Sequence, residues 1–186
     1  MVRRIAEASP LFIARTAGVF WLLVFLTGSL ALVLGGGGVL SAANIVAPLC
    51  YAVVTLLLYD LLKPVNRVVS SLAAFFGLVG CAVSLFGLTR LILLRDLVFF
   101  GLQCLLVGYL IFHSTFLPRI LGVLMAFAGL GWLTFLWPPL ADYLSPYNLA
   151  PGMLGEGSLI VWLLVKGVDV PKWVEQASAA QAPVHT

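Results

Sequence analysis

Ionisable and hydrogen-bonding side chains are scarce in this sequence, so each one set inside an apolar run is a candidate for chemistry. Glu156 stands out. It follows Pro151-Gly152 and falls in the expected first turn of the last apolar segment. A carboxylate there can hold a proton or a cation, orient a ligand, or pair with Arg90 or Arg95. It also has a structural explanation, since a helix N-terminus favours negative charge. Asn44, Pro48, Tyr51 and Thr55 recur at i, i+4, i+7 and i+11, which places them on one helical face. That face is wetter than its neighbours and suits either a cavity wall or ordinary inter-helix hydrogen bonds, each worth about 1 kcal/mol or less. Asp96 and Gln103 are seven residues apart and share a face. With Arg90 and Arg95, Asp96 would sit near an interface, where such charges snorkel or pair. The ligand-binding candidates are therefore Glu156, Gln103, Asn44, Tyr51, Thr55, Arg90 and Asp96.

Several chemistries lack their residues. The histidines are His113 and His185, too few for a bis-histidine haem or a His-rich metal site within one chain. Cys50, Cys81 and Cys104 lie in apolar runs at no metal-binding spacing. There is no phosphate-binding glycine loop followed by Lys-Ser/Thr, no G-x-S-x-G elbow and no arginine series of the voltage-sensor type. No catalytic set, metal or cofactor is expected. The net charge of +3 comes from basic residues placed singly at the ends of apolar runs, not clustered as nucleic-acid binding requires.

The elements that must position these side chains follow from composition. The chain has 186 residues, 62% hydrophobic and 9% charged, with a mean hydropathy of +1.14. A soluble domain carries roughly 25% charged residues, so lipid is the natural solvent here. In lipid the backbone must satisfy its own hydrogen bonds, and long unbroken apolar runs do so as helices. The expected fold is all-α: one transmembrane bundle over residues 1–174, with six helices near 16–35, 44–62, 68–88, 97–112, 120–137 and 153–168. The third would reach Leu94 if it tilts; Arg90, Arg95 and Asp96 separate it from the fourth. The apolar stretch Thr16–Val39 exceeds the 7–15 residues or so of a signal-peptide core, so it is read as a retained helix. Residues 175–186, rich in Ala, Gln, Ser and Pro, are expected to be a disordered tail.

With the N-terminus inside, Arg3, Arg4, Arg15, Lys63, Arg67, Arg119, Lys166 and Lys172 are all cytoplasmic, and only Arg90 and Arg95 fall outside. Both termini are then cytoplasmic. Trp132, Trp137, Tyr143 and Tyr147 form an expected outer aromatic belt, with Tyr59 and Trp173 at the inner boundary. Asp60 and Lys63 can pair at i, i+3. The cytoplasmic charges fix topology, with an anionic-lipid headgroup site as the lesser alternative. Small residues on the third helix (Gly77, Gly80, Cys81, Ser84, Gly87) and the fifth (Gly122, Ala126, Gly129) predict close packing at the centre.

The stretches ARTAGVFWLLVFLTG (14–28), LLLYDLLKPVNR (56–67), LAAFFGLVG (72–80), LLVGYLIFHSTFLPRILGVLM (105–125), AGLGWL (128–133) and GEGSLIVWLLVKGVDVPKW (155–173) together resemble the domain-of-unknown-function family 4386 of bacterial multi-pass membrane proteins. The resemblance spans nearly the whole chain and implies a prokaryotic cytoplasmic-membrane protein, with no activity attached. Members have longer stretches between the first two helices and between the third and fourth. They often carry Arg and Glu where this chain has Gly77 and Gly80, and His where it has Gln103. Glu156 matches the family pattern.

Three functions fit these residues. The first is binding or movement of a small apolar or lipid-like ligand in an outward-facing intramembrane cavity, supported by the Asn44–Thr55 face, Gln103 and Glu156. The second is an accessory subunit that packs on another membrane protein or on a second copy of the chain. The third, supported least, is a membrane-embedded enzyme, since no nucleophile or metal set accompanies Glu156. The lipid bilayer is the expected surrounding in each case.

Overall fold

A computed structural model describes residues 9–34, 38–87 and 96–181. Six of its helices are long and apolar enough to cross a membrane: α1 (Pro10–Leu34), α2 (Gly38–Leu62), α3 (Arg67–Leu85), α4 (Asp96–His113), α5 (Arg119–Leu133) and α7 (Ala150–Val165). The chain is thus a polytopic helical membrane bundle. A short helix α6 (Pro138–Leu144) lies between α5 and α7, flanked by 3-10 turns at Thr134–Leu136 and Tyr147–Leu149. The last helix is α8 (Val170–Gln181).

Each span packs on its neighbour in sequence, and α7 returns to α1, so the six form a closed ring. Lys63, Arg67, Arg119, Lys166 and Lys172 all fall at one end of this ring, the basic end. Large apolar side chains such as Phe12, Val68 and Phe75 are exposed on its outside, as a lipid-facing surface requires. The inside is filled by Trp21, Val54, Leu61, Leu110, Met125, Leu159 and Leu163.

The tightest seam joins α4 to α5. A Cβ at Gly108 would stand 2.7 Å from the Gly122 carbonyl oxygen, and one at Gly122 would stand 2.7 Å from the Gly108 carbonyl oxygen. Gly101 and Gly129 repeat the arrangement two turns away, at 3.1 and 2.8 Å. Without a hydrophobic drive between helices in lipid, such backbone approach supplies the packing. Gly122 and Gly129 behave as expected, but their partner is α4, whose Gly101 and Gly108 complete the seam. On α3, Gly77 and Gly80 make room for the side chains of Gln103 and Phe100.

The junctions at the basic end follow from cap chemistry. Asn66 Oδ1 accepts from Val69 N at 3.1 Å and starts α3. Lys63 pairs with Asp60 at 2.7 Å, both half in solvent. Gly167, at φ +69°, donates to the Trp162 carbonyl at 2.9 Å and ends α7. Asp169 Oδ1 accepts from Lys172 N at 3.3 Å and its Oδ2 pairs with Lys172 Nζ at 3.1 Å. These contacts hold the Asp169 carboxyl below the ordinary carboxylate range. Trp173 Nε1 then donates to the Leu61 carbonyl at 2.8 Å and pins α8 to the end of α2.

Several boundaries differ from expectation. α1 starts at Pro10 because proline suits the first helical turn and the Ser9 carbonyl accepts from Phe12 and Ile13. α2 starts at Gly38 rather than Asn44. α3 stops at Leu85, short of Leu88, where Phe86 and Gly87 turn the chain. The Leu88–Leu94 extension lies outside the described residues. α7 starts at Ala150, three residues before Met153, with Pro151 inside its first turn. Residues 175–181, expected to be disordered, continue α8: Asp169 caps it, Trp173 anchors it, and Ala177, Ala179 and Ala180 favour helix.

The glycine seam makes a direct prediction. Gly122→Leu places a side chain against the α4 backbone and abolishes recovery of folded, monodisperse protein in mild detergent. Gly157→Ala, whose new Cβ would meet only a Phe25 ring atom at 4.0 Å, leaves recovery unchanged.

Candidate functional site

Glu156 is 6% exposed and belongs to the second turn of α7. Because α7 begins at Ala150, the expected placement of Glu156 in the first turn is corrected. The helix-terminus explanation goes with it, since that effect fades beyond the first turn. Its partners come instead from other spans. Trp132 Nε1, from α5, donates to Oε1 at 2.6 Å. Trp21 Nε1, from α1, donates to Oε2 at 3.0 Å. Cys104 Sγ, from α4, lies 3.7 Å from Oε1 as a weak donor. An indole N–H can only donate, so both carboxylate oxygens are used as acceptors. The ion pairs among the described residues are Lys63–Asp60 and Lys172–Asp169, both at the basic end. None reaches Glu156.

Tyr51, from α2, closes the group. Its ring meets Trp21 edge-on at 5.9 Å and 89°, and meets Phe100 at 4.7 Å. Five spans, α1, α2, α4, α5 and α7, thus converge around Glu156, four through hydrogen bonds and α2 through the Tyr51 ring.

The node forms one wall of a cavity of about 440 Å³. Val24, Phe25 and Gly28 of α1, Ala47, Pro48 and Tyr51 of α2, Leu97 and Phe100 of α4, Trp132 of α5, and Leu149, Met153 and Glu156 line it. Tyr51 sits at the middle of α2, and the others lie toward the end away from the basic one. Apart from Glu156, the Tyr51 hydroxyl and the Trp132 indole N–H, its side chains are apolar.

A second polar contact lies toward the ring interior. Gln103 Nε2 donates to Thr55 Oγ1 at 3.2 Å, both residues being buried. Gln103 Oε1 is buried and has no hydrogen-bond partner among the described residues. The amide occupies the space left by Gly77, where an added Cβ would clash with it. Positions 77 and 103 are therefore neighbours in space.

The expected site residues sort accordingly. Glu156 and Tyr51 line the cavity. Thr55 and Gln103 form the separate interior contact. Asn44 is exposed with Ile45, Val46 and Leu49 and is not among the residues that line this cavity. Asp96 accepts from its own neighbour, Leu97 N, at 3.1 Å and sits at the start of α4 outside the cavity lining. Arg90 and Arg95 lie outside the described residues. Trp137, Tyr143 and Tyr147 are exposed at the end opposite the basic one. Trp132, expected in that aromatic belt, turns inward to Glu156. Sequence reasoning missed Trp21, Trp132 and Cys104 as partners of Glu156. The signal was present at Trp21: a tryptophan far from either end of a span carries an N–H that needs an acceptor when buried.

Fold and site together define a six-span membrane protein with an internal carboxylate node. The family described as Domain of unknown function (DUF4386) matches residues 37–98 and 94–167, which is more than half of the chain, and the chain belongs to that family. It is 33% identical over 125 residues to an uncharacterized protein of Archaeoglobus fulgidus, a match covering 61% of this chain and 75% of that protein. No solved structure matches.

The interior contact has a testable asymmetry. Thr55→Val removes the acceptor of Gln103 Nε2 and leaves a second amide atom orphaned, at a cost of about 1–3 kcal/mol in unfolding free energy. Adding Gln103→Leu to Thr55→Val removes both orphans and recovers most of that loss. Steric unfolding titrations in mixed micelles measure both steps.

Proposed function

We propose that this protein binds a small apolar or lipid-like molecule within the membrane, in the cavity walled by Glu156. The observation that carries the reading is the cavity itself. It is built by five spans, and its volume of about 440 Å³ falls in the range of roughly 300–1,000 Å³ typical of ligand pockets. Its lining is mostly apolar with a few convergent polar groups, the usual composition of such pockets.

The positive-inside rule supports a cytoplasmic placement of the basic end, and with it of both termini. The cavity then lies in the outer half of the bilayer. The family and its archaeal relative support a prokaryotic cytoplasmic membrane as the location. Binding, with or without movement across the membrane, is the activity this arrangement supports best.

Gly28 offers a clean test. It lines the cavity, and a Cβ placed on it meets nothing within 4 Å. Gly28→Trp therefore fills the cavity while sparing helix packing. Native mass spectrometry of protein released from nanodiscs of host lipid should show a discrete small molecule retained by the unaltered chain and lost from Gly28→Trp. A bare chain in both cases, or the same adduct on both, contradicts the proposal.

A further inference from the structure

Among the described residues, the acidic group in the cavity wall has no counter-charge. Buried ionisable groups in proteins are paired, because desolvating a lone charge costs several kcal/mol or more. The donors to Glu156 are two indoles and a thiol, all uncharged. Among the described residues no Lys, Arg or His lies within ion-pair distance of it.

The carboxylate is also incompletely used. It offers about four lone-pair sites. Oε1 takes Trp132 and Cys104, whereas Oε2 takes Trp21 alone. Among the described residues one acceptor position is left over, on a residue that lines the cavity. Around it stand the rings of Phe25, Tyr51, Phe100 and Trp132. Aromatic faces attract cations, more strongly when water is excluded. Val24, Leu97 and Met153 complete an apolar compartment. An anionic headgroup finds no basic side chain among the lining residues.

We infer that the ligand is a lipophilic amine, whose ammonium donates to Glu156 Oε2 while its apolar body lies against the aromatic wall. This inference rests on the reading of the cavity as a ligand site. The ammonium supplies both a further donor and a positive charge, neither of which the described residues bring to Oε2. A neutral hydrocarbon of the same shape supplies neither.

The test compares two isosteric probes on the full chain in phosphatidylcholine nanodiscs at neutral pH. One is N,N-dimethyl-2-naphthylmethylamine, which is protonated there. The other is its uncharged carbon isostere, 2-isobutylnaphthalene. Equilibrium dialysis against empty nanodiscs subtracts partition into lipid. The amine should bind about tenfold tighter or more, the size expected of a hydrogen bond to a charged group. Glu156→Gln should reduce the amine to the affinity of the isostere and leave isostere binding intact. Equal or tighter binding of the isostere to the unaltered chain overturns the amine assignment while the cavity reading stands, and needs no variant to fold. Failure of both probes to bind overturns the cavity reading and the amine assignment with it.

Discussion

A carboxylate set in the middle of a helical bundle dictates much of this structure. Glu156 cannot be left without partners at membrane depth. It finds two of them in tryptophans from α1 and α5, remote in sequence from each other and from α7. The Trp21–Glu156 hydrogen bond links the first span to the last and lies where the ring closes. The Trp132–Glu156 bond fixes α7 against α5. Hydrogen bonds to charged groups are worth about 1.5–3 kcal/mol in soluble proteins. Inter-helix bonds in lipid average nearer to about 0.6 kcal/mol, because the unfolded chain in a membrane also finds partners. The geometry of the node therefore matters more than its gross strength: Trp21 and Trp132 reach different oxygens of one carboxyl and so tie α1 and α5 to α7.

The glycine seam provides the complementary constraint. Gly101 and Gly108 against Gly122 and Gly129 bring α4 and α5 into backbone contact. That contact sets α4 where Cys104 reaches Glu156 and Gln103 reaches Thr55. Close packing on this side contrasts with the open space beside Gly28 and Ala47, where α1 and α2 border the cavity. The bundle is tight where the seam runs and hollow where the aromatic rings stand.

The number and order of the spans were legible in the sequence because apolar run length is a one-dimensional signal. Their ends were less so. Pro151 was read as a stop before a helix but sits inside the first turn of α7, and that shift of three residues changed the setting of Glu156. The Asn44–Thr55 stripe divides in three dimensions: Tyr51 lines the cavity, Thr55 meets Gln103, and Asn44 is exposed. The partners of Glu156 were invisible for a different reason. Which tryptophan turns inward depends on the rotation of α1 and α5 about their axes, and neighbouring helices set that rotation, not the periodicity of either helix alone. Trp132 and Trp137 are alike in composition and neighbourhood, but only Trp132 faces the carboxylate. The small-residue signal showed that α5 packs closely, and the matching glycines of α4 were needed to say against what.

The central claim is that Glu156 accepts from both Trp21 and Trp132 and so joins three spans. Double-mutant cycles on the unfolding free energy in mixed micelles test it most directly, pairing Glu156→Gln with Trp21→Phe and with Trp132→Phe. The account predicts a coupling of about 0.5–3 kcal/mol in each cycle. Losses that add to within about 0.3–0.5 kcal/mol in both cycles would show that the residues act independently, and would contradict it.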